Sequence, residues 1–254
     1  MQKVLYRIAC ALLFGAAQAQ AAGIEPPCYA MLSLIGDKLD IVVYQTQTGS
    51  NIEQNRHEPL PIDDPLFDNA AVSAAGDAVR KVVPGAALVV LNSRSAALFE
   101  RQRELFDEQD SKIALPDAIK TALQKENATH LILITKHRDD AILAFSDRYD
   151  GSGKLEGLGY YIDGVMPTKP GEGGETGRGY LAPYVYMKVS LIDAQTSRLI
   201  GKQIVKASQS VSVARAIDSA NPWDAMTNEQ KVRIIDQMIR REITRVVLEL
   251  MKTS

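Results

Sequence analysis

The chain has 254 residues, 46% of them hydrophobic, with 29 basic and 31 acidic side chains and a formal net charge of −2. That near balance excludes the basic stripe with which a nucleic-acid binder neutralises phosphates. Two cysteines and three histidines with no C-x-x-C or H-E-x-x-H spacing supply no metal motif, and no cofactor is expected.

At the amino terminus Lys3 and Arg7 precede an apolar core at 8–17, and Ala17-Gln18-Ala19 and Ala19-Gln20-Ala21 put small residues where a signal peptidase reads. The apolar core is about ten residues long, half of what a bilayer span needs. Residues 1–22 therefore read as a cleaved signal peptide and 23–254 as one domain, periplasmic or extracytoplasmic, with no transmembrane segment. Cleavage removes Cys10, leaving Cys28 either buried and inert or paired with another chain.

Two β-branched and aromatic runs, 29–35 and 38–46, flank Gly36-Asp37 and predict an opening hairpin. The stretch 48–65, with Gly49, Asn51, Asn55, Pro59, Pro61 and Pro65, predicts an irregular loop. Leu66, Ala70, Val72, Ala75, Val79 and Val82 then recur at helical spacing, between Asp64 as N-cap and Pro84-Gly85 as stop. A short buried strand is expected at 87–91 and helices at 95–108 and 116–127, the second with Pro116 in its first turn.

The run THLILIT at 129–135 has the continuous apolar character of a strand buried on both faces. His137-Arg138-Asp139-Asp140 predicts a turn into 141–146, a second hairpin. Residues 151–159 and 164–179 are Gly-rich, the latter read as a mobile loop. Residues 184–193 alternate apolar and polar, 194–198 form a turn, and 199–207 return as a long antiparallel hairpin. Thr227 with Gln230 forms a capping box for a helix to about residue 252. Its apolar face is Val232, Ile235, Met238, Ile239, Ile243, Val246, Val247 and Leu250, and Arg233, Arg240, Arg241 and Arg245 lie opposite.

The order of elements predicts a mixed α/β class: one mixed, largely antiparallel sheet with packed helices and a long C-terminal amphipathic helix. The element Asp193-Ala194-Gln195-Thr196-Ser197-Arg198 between two strands resembles the D-x-x-T-G-x-V/I hairpin of curli-secretion and TolB-N-terminal-type envelope proteins. A Thr129-His130 entry to an apolar strand and a C-terminal amphipathic helix complete the resemblance, over about residues 116–250. It implies an envelope protein with that fold; Ser197 stands where those families carry glycine, and no lipobox is present.

Catalytic motifs are sparse. There is no G-x-S-x-G, and Gly157-Leu158-Gly159-Tyr160 lacks the third glycine of a dinucleotide fingerprint. Asp139, Asp140, Asp147 and Asp150 could supply a hydrolase's carboxylate pair. His130 and His137 sit at odd spacing on one strand, so they do not share a metal. Six tyrosines, at 149, 160, 161, 180, 184 and 186, gather around the Gly-rich segment. Amphipathic rings at low entropy cost favour partner contact there, and Tyr160, Tyr161, Arg178 and Tyr180 are the candidate binding residues. The reading is a non-catalytic binding or assembly module for an envelope protein or glycan. A hydrolase, or a subunit oligomerising through the C-terminal helix, is the alternative.

Overall fold

The computed structural model describes residues 26–46, 55–106, 108–109, 111–145, 148–167, 178–212 and 221–252. The expected signal peptide and residues 168–177 of the expected Gly-rich loop lie outside the described residues, whereas 164–167 and 178–179, expected in that loop, are the ends of two long strands. In chain order the strands are β1 (Cys28–Leu34), β2 (Lys38–Val43), β3 (Arg56–Pro61), β4 (Ala87–Leu91), β5 (Glu108–Gln109), β6 (Lys112–Ile113) and β7 (His130–Lys136). They continue as β8 (Arg138–Asp140), β9 (Leu143–Ala144), β10 (Tyr149–Asp150), β11 (Lys154–Pro167), β12 (Arg178–Asp193), β13 (Leu199–Ser208) and β14 (Val211–Ser212). The helices are α1 (Leu66–Val82), α2 (Ala96–Glu100), α3 (Gln102–Leu105), α4 (Asp117–Lys125) and α5 (Asn228–Lys252). A 3-10 turn at Pro222–Ala225 precedes α5. The class is the mixed α+β fold expected, with helices packed on one mixed sheet.

The long strand β12 is the axis of that sheet. On one edge it pairs antiparallel with β13 and then β14. On the other it borders two strands in turn, β11 beside residues 180–186 and β7 beside 187–193. Both run antiparallel to β12, so they lie end to end in one direction. Their outer neighbours repeat the break: β1 is parallel to β7, and β2 is parallel to β11. The outermost row holds β4 beside β1 and β3 beside β2.

Successive side chains of β12 point to opposite faces, and the two faces are covered differently. Leu181, Val185, Met187, Val189 and Leu191 join a continuous core under α1 and α5. On the other face Tyr180, Ala182, Tyr184 and Tyr186 lie in a small core closed by residues 141–145. Ile192, at the far end, belongs to a third core with α4 and Phe106. Between those two smaller cores β12 presents Lys188 and Ser190, and β7 presents the buried Thr135.

α5 starts as its sequence dictates. Thr227 N–H donates to Gln230 Oε1 at 2.8 Å, and Gln230 N–H donates to Thr227 Oγ1 at 3.3 Å, the reciprocal capping box. Seven residues of the expected apolar face are buried, and Val232 is exposed. The stripe proposed as an oligomer surface is therefore occupied by the chain's own sheet and α1. The hairpin of β12 and β13 also forms as read. Asp193 Oδ1 accepts from Gln195 and Thr196 N–H, and Ser197 adopts φ 57°, the left-handed conformation for which glycine is the usual residue.

Four local expectations are corrected. The runs around Gly36-Asp37 are no hairpin: β1 and β2 point the same way and continue one row of the sheet across its break. Gly36 is required there by close approach, since a Cβ would lie 2.7 Å from Asp68 Oδ2. Asp68 Oδ1 accepts from Ser33 Oγ, Ile35 N–H and Gly36 N–H, fastening the junction to the first turn of α1. Burial raises the Asp68 carboxyl above its ordinary value, with the hydrogen bonds opposing. Next, the polar stretch before α1 holds the exposed strand β3, and Pro65 rather than Asp64 occupies the N-cap. The segment at 138–140 is strand β8, paired with β11 rather than turning back on β7. Finally, the charged helix at 95–108 is two short helices, α2 and α3.

Candidate functional site

The break in the sheet opens a cleft of about 700 Å³ on the face that carries the two smaller cores. Five separated stretches wall it: 37–40, 55–59, 99–104, 136–138 and 154–158. α2 and α3 form one lip, and β8, the start of β11 and strands β2 and β3 form the other.

Gln102, 3% exposed, holds the break at its base. Its Nε2 donates to Leu34 O at 3.1 Å and Phe99 O at 2.7 Å, and its Oε1 accepts from Lys136 N–H at 2.7 Å. One amide thus satisfies backbone groups that β1 and β7 expose where their row changes partner. Lys136, which ends the apolar run of β7, is buried and ion-paired with Asp37. Gly157 makes room for it: at φ 67° its missing Cβ would sit 3.1 Å from Lys136 Cδ.

The walls are charged and partly matched in pairs. Arg103 is paired with Glu156, its Nε donating to Glu156 Oε1 at 3.0 Å, and so joins the two lips of the cleft. Arg101 Nε donates to Glu104 Oε2 at 3.0 Å, and Lys154 meets Asp140 at 2.5 Å. His57 Nδ1 lies 2.7 Å from Asp40 Oδ2. Phe99, Pro59 and Leu158 add apolar surface. His57 with Asp40 is the pair in the cleft with acid–base capacity. Among the described lining residues there is no serine, threonine or cysteine for it to activate.

The residues proposed from sequence lie elsewhere. Tyr160, Tyr161 and Tyr180 are at most 1% exposed. Tyr160 OH donates to Lys231 O at 2.5 Å, and its ring meets Trp223 edge-on. The Tyr161 and Tyr180 rings stack, and Phe145 closes on Tyr180 from the side. Burial raises all three phenols above their ordinary value, so they stay neutral. Partner contact through these rings would require them to leave the core. Arg178 opens β12 opposite Pro167; its side chain is outside the described residues.

Of the acids expected for hydrolysis, Asp139 and Asp140 are engaged in ion pairs. Asp139 accepts from Lys206 Nζ at 3.0 Å, which with the Asp140 N–H lowers its pKa to about 2. Asp140 is matched by Lys154, Asp150 Oδ1 accepts from Gly151 N–H, and Asp147 lies outside the described residues. His130 stacks on Tyr29 at 4.6 Å, whereas His137 sits 3.5 Å from Asp139. Cys28 is buried, with Sγ 3.6 Å from Glu126 O, and burial raises its thiol. No group of three or more His, Cys, Asp or Glu among the described residues could hold a metal ion.

Sequence reasoning missed Gln102, Lys136, Asp37 and Arg103. One signal was present: a lysine closing an otherwise apolar strand, a position where an unpaired charge is costly and a partner is implied.

No family model matches the chain, and no curated protein does. Among solved structures, it is similar to the DUF330 protein XCC0632 from Xanthomonas campestris at 11% identity and TM-score 0.37, covering 91% of this chain and 89% of that one. The PelC dodecamer from Paraburkholderia phytofirmans is similar at 12% identity and TM-score 0.31, covering 89% and 88%. A lipoprotein from Neisseria meningitidis is similar at 9% identity and TM-score 0.27, covering 86% and 99%. Likenesses of this size assign neither a family nor an activity. No helix among the described residues is long and apolar enough to cross a membrane.

Proposed function

We propose that this chain is an exported, non-catalytic binding module that holds a protein or glycan component of the cell envelope in the cleft at the sheet's break. The observation that carries the reading is the cleft itself, a concavity of about 700 Å³ whose walls come from five chain segments. Several of its charges are held in ion pairs, Arg103 with Glu156 across the lips and Lys136 with Asp37 at the base, which fixes donors and acceptors that a ligand would meet. Pre-ordered polar groups beside Phe99 and Leu158 suit recognition of a polar ligand with some apolar surface. The amino-terminal sequence, with its positive residues, short apolar core and small-residue cleavage sites, supports export.

The test is retention of envelope components on immobilised protein. Arg103→Glu sets two acids together across the cleft and is expected to release a component that the parent chain and the remote Arg241→Ala variant both retain. If Arg103→Glu kept its fold and every bound component, the cleft would not be the binding site.

A further inference from the structure

We propose that the ligand of the cleft is a protein segment bearing a lysine, whose side chain passes Phe99 into a second, acidic cavity at the carboxyl ends of β1 and β4. This rests on the cleft being the binding site and names what it takes.

The topology places a ligand here. β4 and β7 both run parallel to β1, one on each side of it. The connection from β1 to β4 carries α1 over the face of the continuous core, and the return from β4 to β7 carries α4 over the opposite face. Strands whose connections leave over opposite faces part at their carboxyl ends, and open α/β sheets bind ligands in that crevice. The carboxyl ends of β1 and β7 are Leu34 and Lys136, whose backbone groups Gln102 holds at the base of the cleft.

A cavity of about 470 Å³ adjoins the cleft, sharing Asp37, Phe99 and Glu100 with it. Its charge is one-sided. Asp63, Asp64, Asp68 and Glu100 line it against one arginine, Arg94, and Asp37 is already paired with Lys136. Units of this topology commonly hold a phosphate at the start of the first helix. Here Asp63, Asp64 and Asp68 flank the first turn of α1 and outweigh the roughly half positive charge of a helix end. An anion is excluded there, and a cation is favoured.

Asp68 selects among cations. Its Oδ1 accepts from three donors and is filled, whereas Oδ2 has no partner among the described residues. One open oxygen suits the point-like ammonium of lysine, and a guanidinium fork needs two. Ile62, Pro65 and Phe99 line the same cavity and give the four-carbon stem of lysine apolar surface. An amino sugar carries its nitrogen directly on the ring and has no such stem, so the occupant is a protein rather than a glycan.

Titration of the purified chain with the blocked peptide acetyl-Gly-Lys-Gly-amide, followed by nuclear magnetic resonance, tests the cavity. The peptide is expected to shift the amides of Gly36 and Asp68, and its norleucine and ε-N-acetyl-lysine counterparts to bind about tenfold more weakly or worse. Asp68→Asn keeps an oxygen for the three donors and should weaken lysine binding by a similar factor. Where Asp68→Asn lowers the thermal midpoint, the exposed pair Asp63→Asn and Asp64→Asn supplies the same test. Equal binding of the lysine and norleucine peptides, or of neither, would overturn the proposal. Acetylating the lysines of an envelope extract separates the proposal from the cleft reading: the component that the parent chain retains and Arg103→Glu releases should no longer be held. If that component is still held after acetylation, the lysine assignment falls and the cleft reading stands. If a folded Arg103→Glu releases nothing, the cleft reading falls and takes the proposal with it.

Discussion

The two faces of the sheet solve the same burial problem in opposite ways. Under α1 and α5 the apolar surface runs unbroken from Tyr29 on β1 to Val205 on β13. On the other face it is divided into two smaller cores, one under α4 and one under residues 141–145, with polar Lys188, Ser190 and Thr135 between them. The undivided face can supply most of the stability, since each fully buried aliphatic side chain contributes about 1.5–3 kcal/mol. The divided face gives up that contribution along a band and gains a cleft there. What distinguishes them is whether the core crosses the break in the sheet: on one face it joins residues of β1 and β7 to residues of β2 and β11, and on the other those pairs fall into separate cores.

The contrast is broken most forcibly from the undivided side. Ile239 is fully buried on α5, so Ile239→Asp should destabilise the protein by about 3–5 kcal/mol by placing an unpaired charge in the core. Arg241→Ala, on the exposed side of the same helix, should stay within about 0.5 kcal/mol. Urea unfolding of the pair measures the difference. A stable Ile239→Asp variant with altered oligomeric state would show that α5 is an interface instead.

On the divided face the expected effect is smaller and more local. Gln102→Ala leaves Leu34 O, Phe99 O and Lys136 N–H without their partner, at about 1–3 kcal/mol. Hydrogen exchange should quicken at Lys136 while amides of α5 keep their protection. Uniform loss across both faces would mean that the cleft and the helical core unfold as one unit.

The smallest effect sharpens the comparison through pH. Asp139, at the rim of the divided face, has its pKa lowered to about 2, chiefly by Lys206. A carboxyl depressed by folding stabilises above its unfolded pKa, so its contribution is present at neutral pH and lost as pH falls from about 4 to about 2. Asp139 is about a third exposed, so solvent screening keeps this modest. Asp139→Asn should flatten the acid limb of the stability curve slightly. An unchanged limb would show that the Lys206 contact contributes nothing in solution.

What the sequence disclosed follows the same division. The capping box of Thr227 and Gln230, the stripe of α5 and the turn at Asp193 are local patterns, complete within a few residues, and all three are present. β1 and β2 were misread because Gly36 between two apolar runs has the composition of a hairpin turn, whereas its cause is contact with Asp68 on a different element. β3 alternates nothing and is wholly exposed, so no periodicity marks it. The tyrosines were visible as a cluster, but a β-strand's period of two sends five of them inward, Tyr160 on one face and Tyr161, Tyr180, Tyr184 and Tyr186 on the other, while Tyr149 is exposed, which composition alone does not reveal. The cleft was illegible for a stronger reason: its walls are brought together only by the change of partners along β12.

That dependence on β12 also orders events in time. Residues 178–193 lie late in the chain, yet both β7 and β11 need them as their inner neighbour, and the helix that closes the larger core comes later still. A nascent chain that has emerged only as far as β11 lacks the strand that borders both β7 and β11. Pairings this distant along the polymer are slow to form. Completion of the sheet therefore waits on a strand encoded in the last third of the chain.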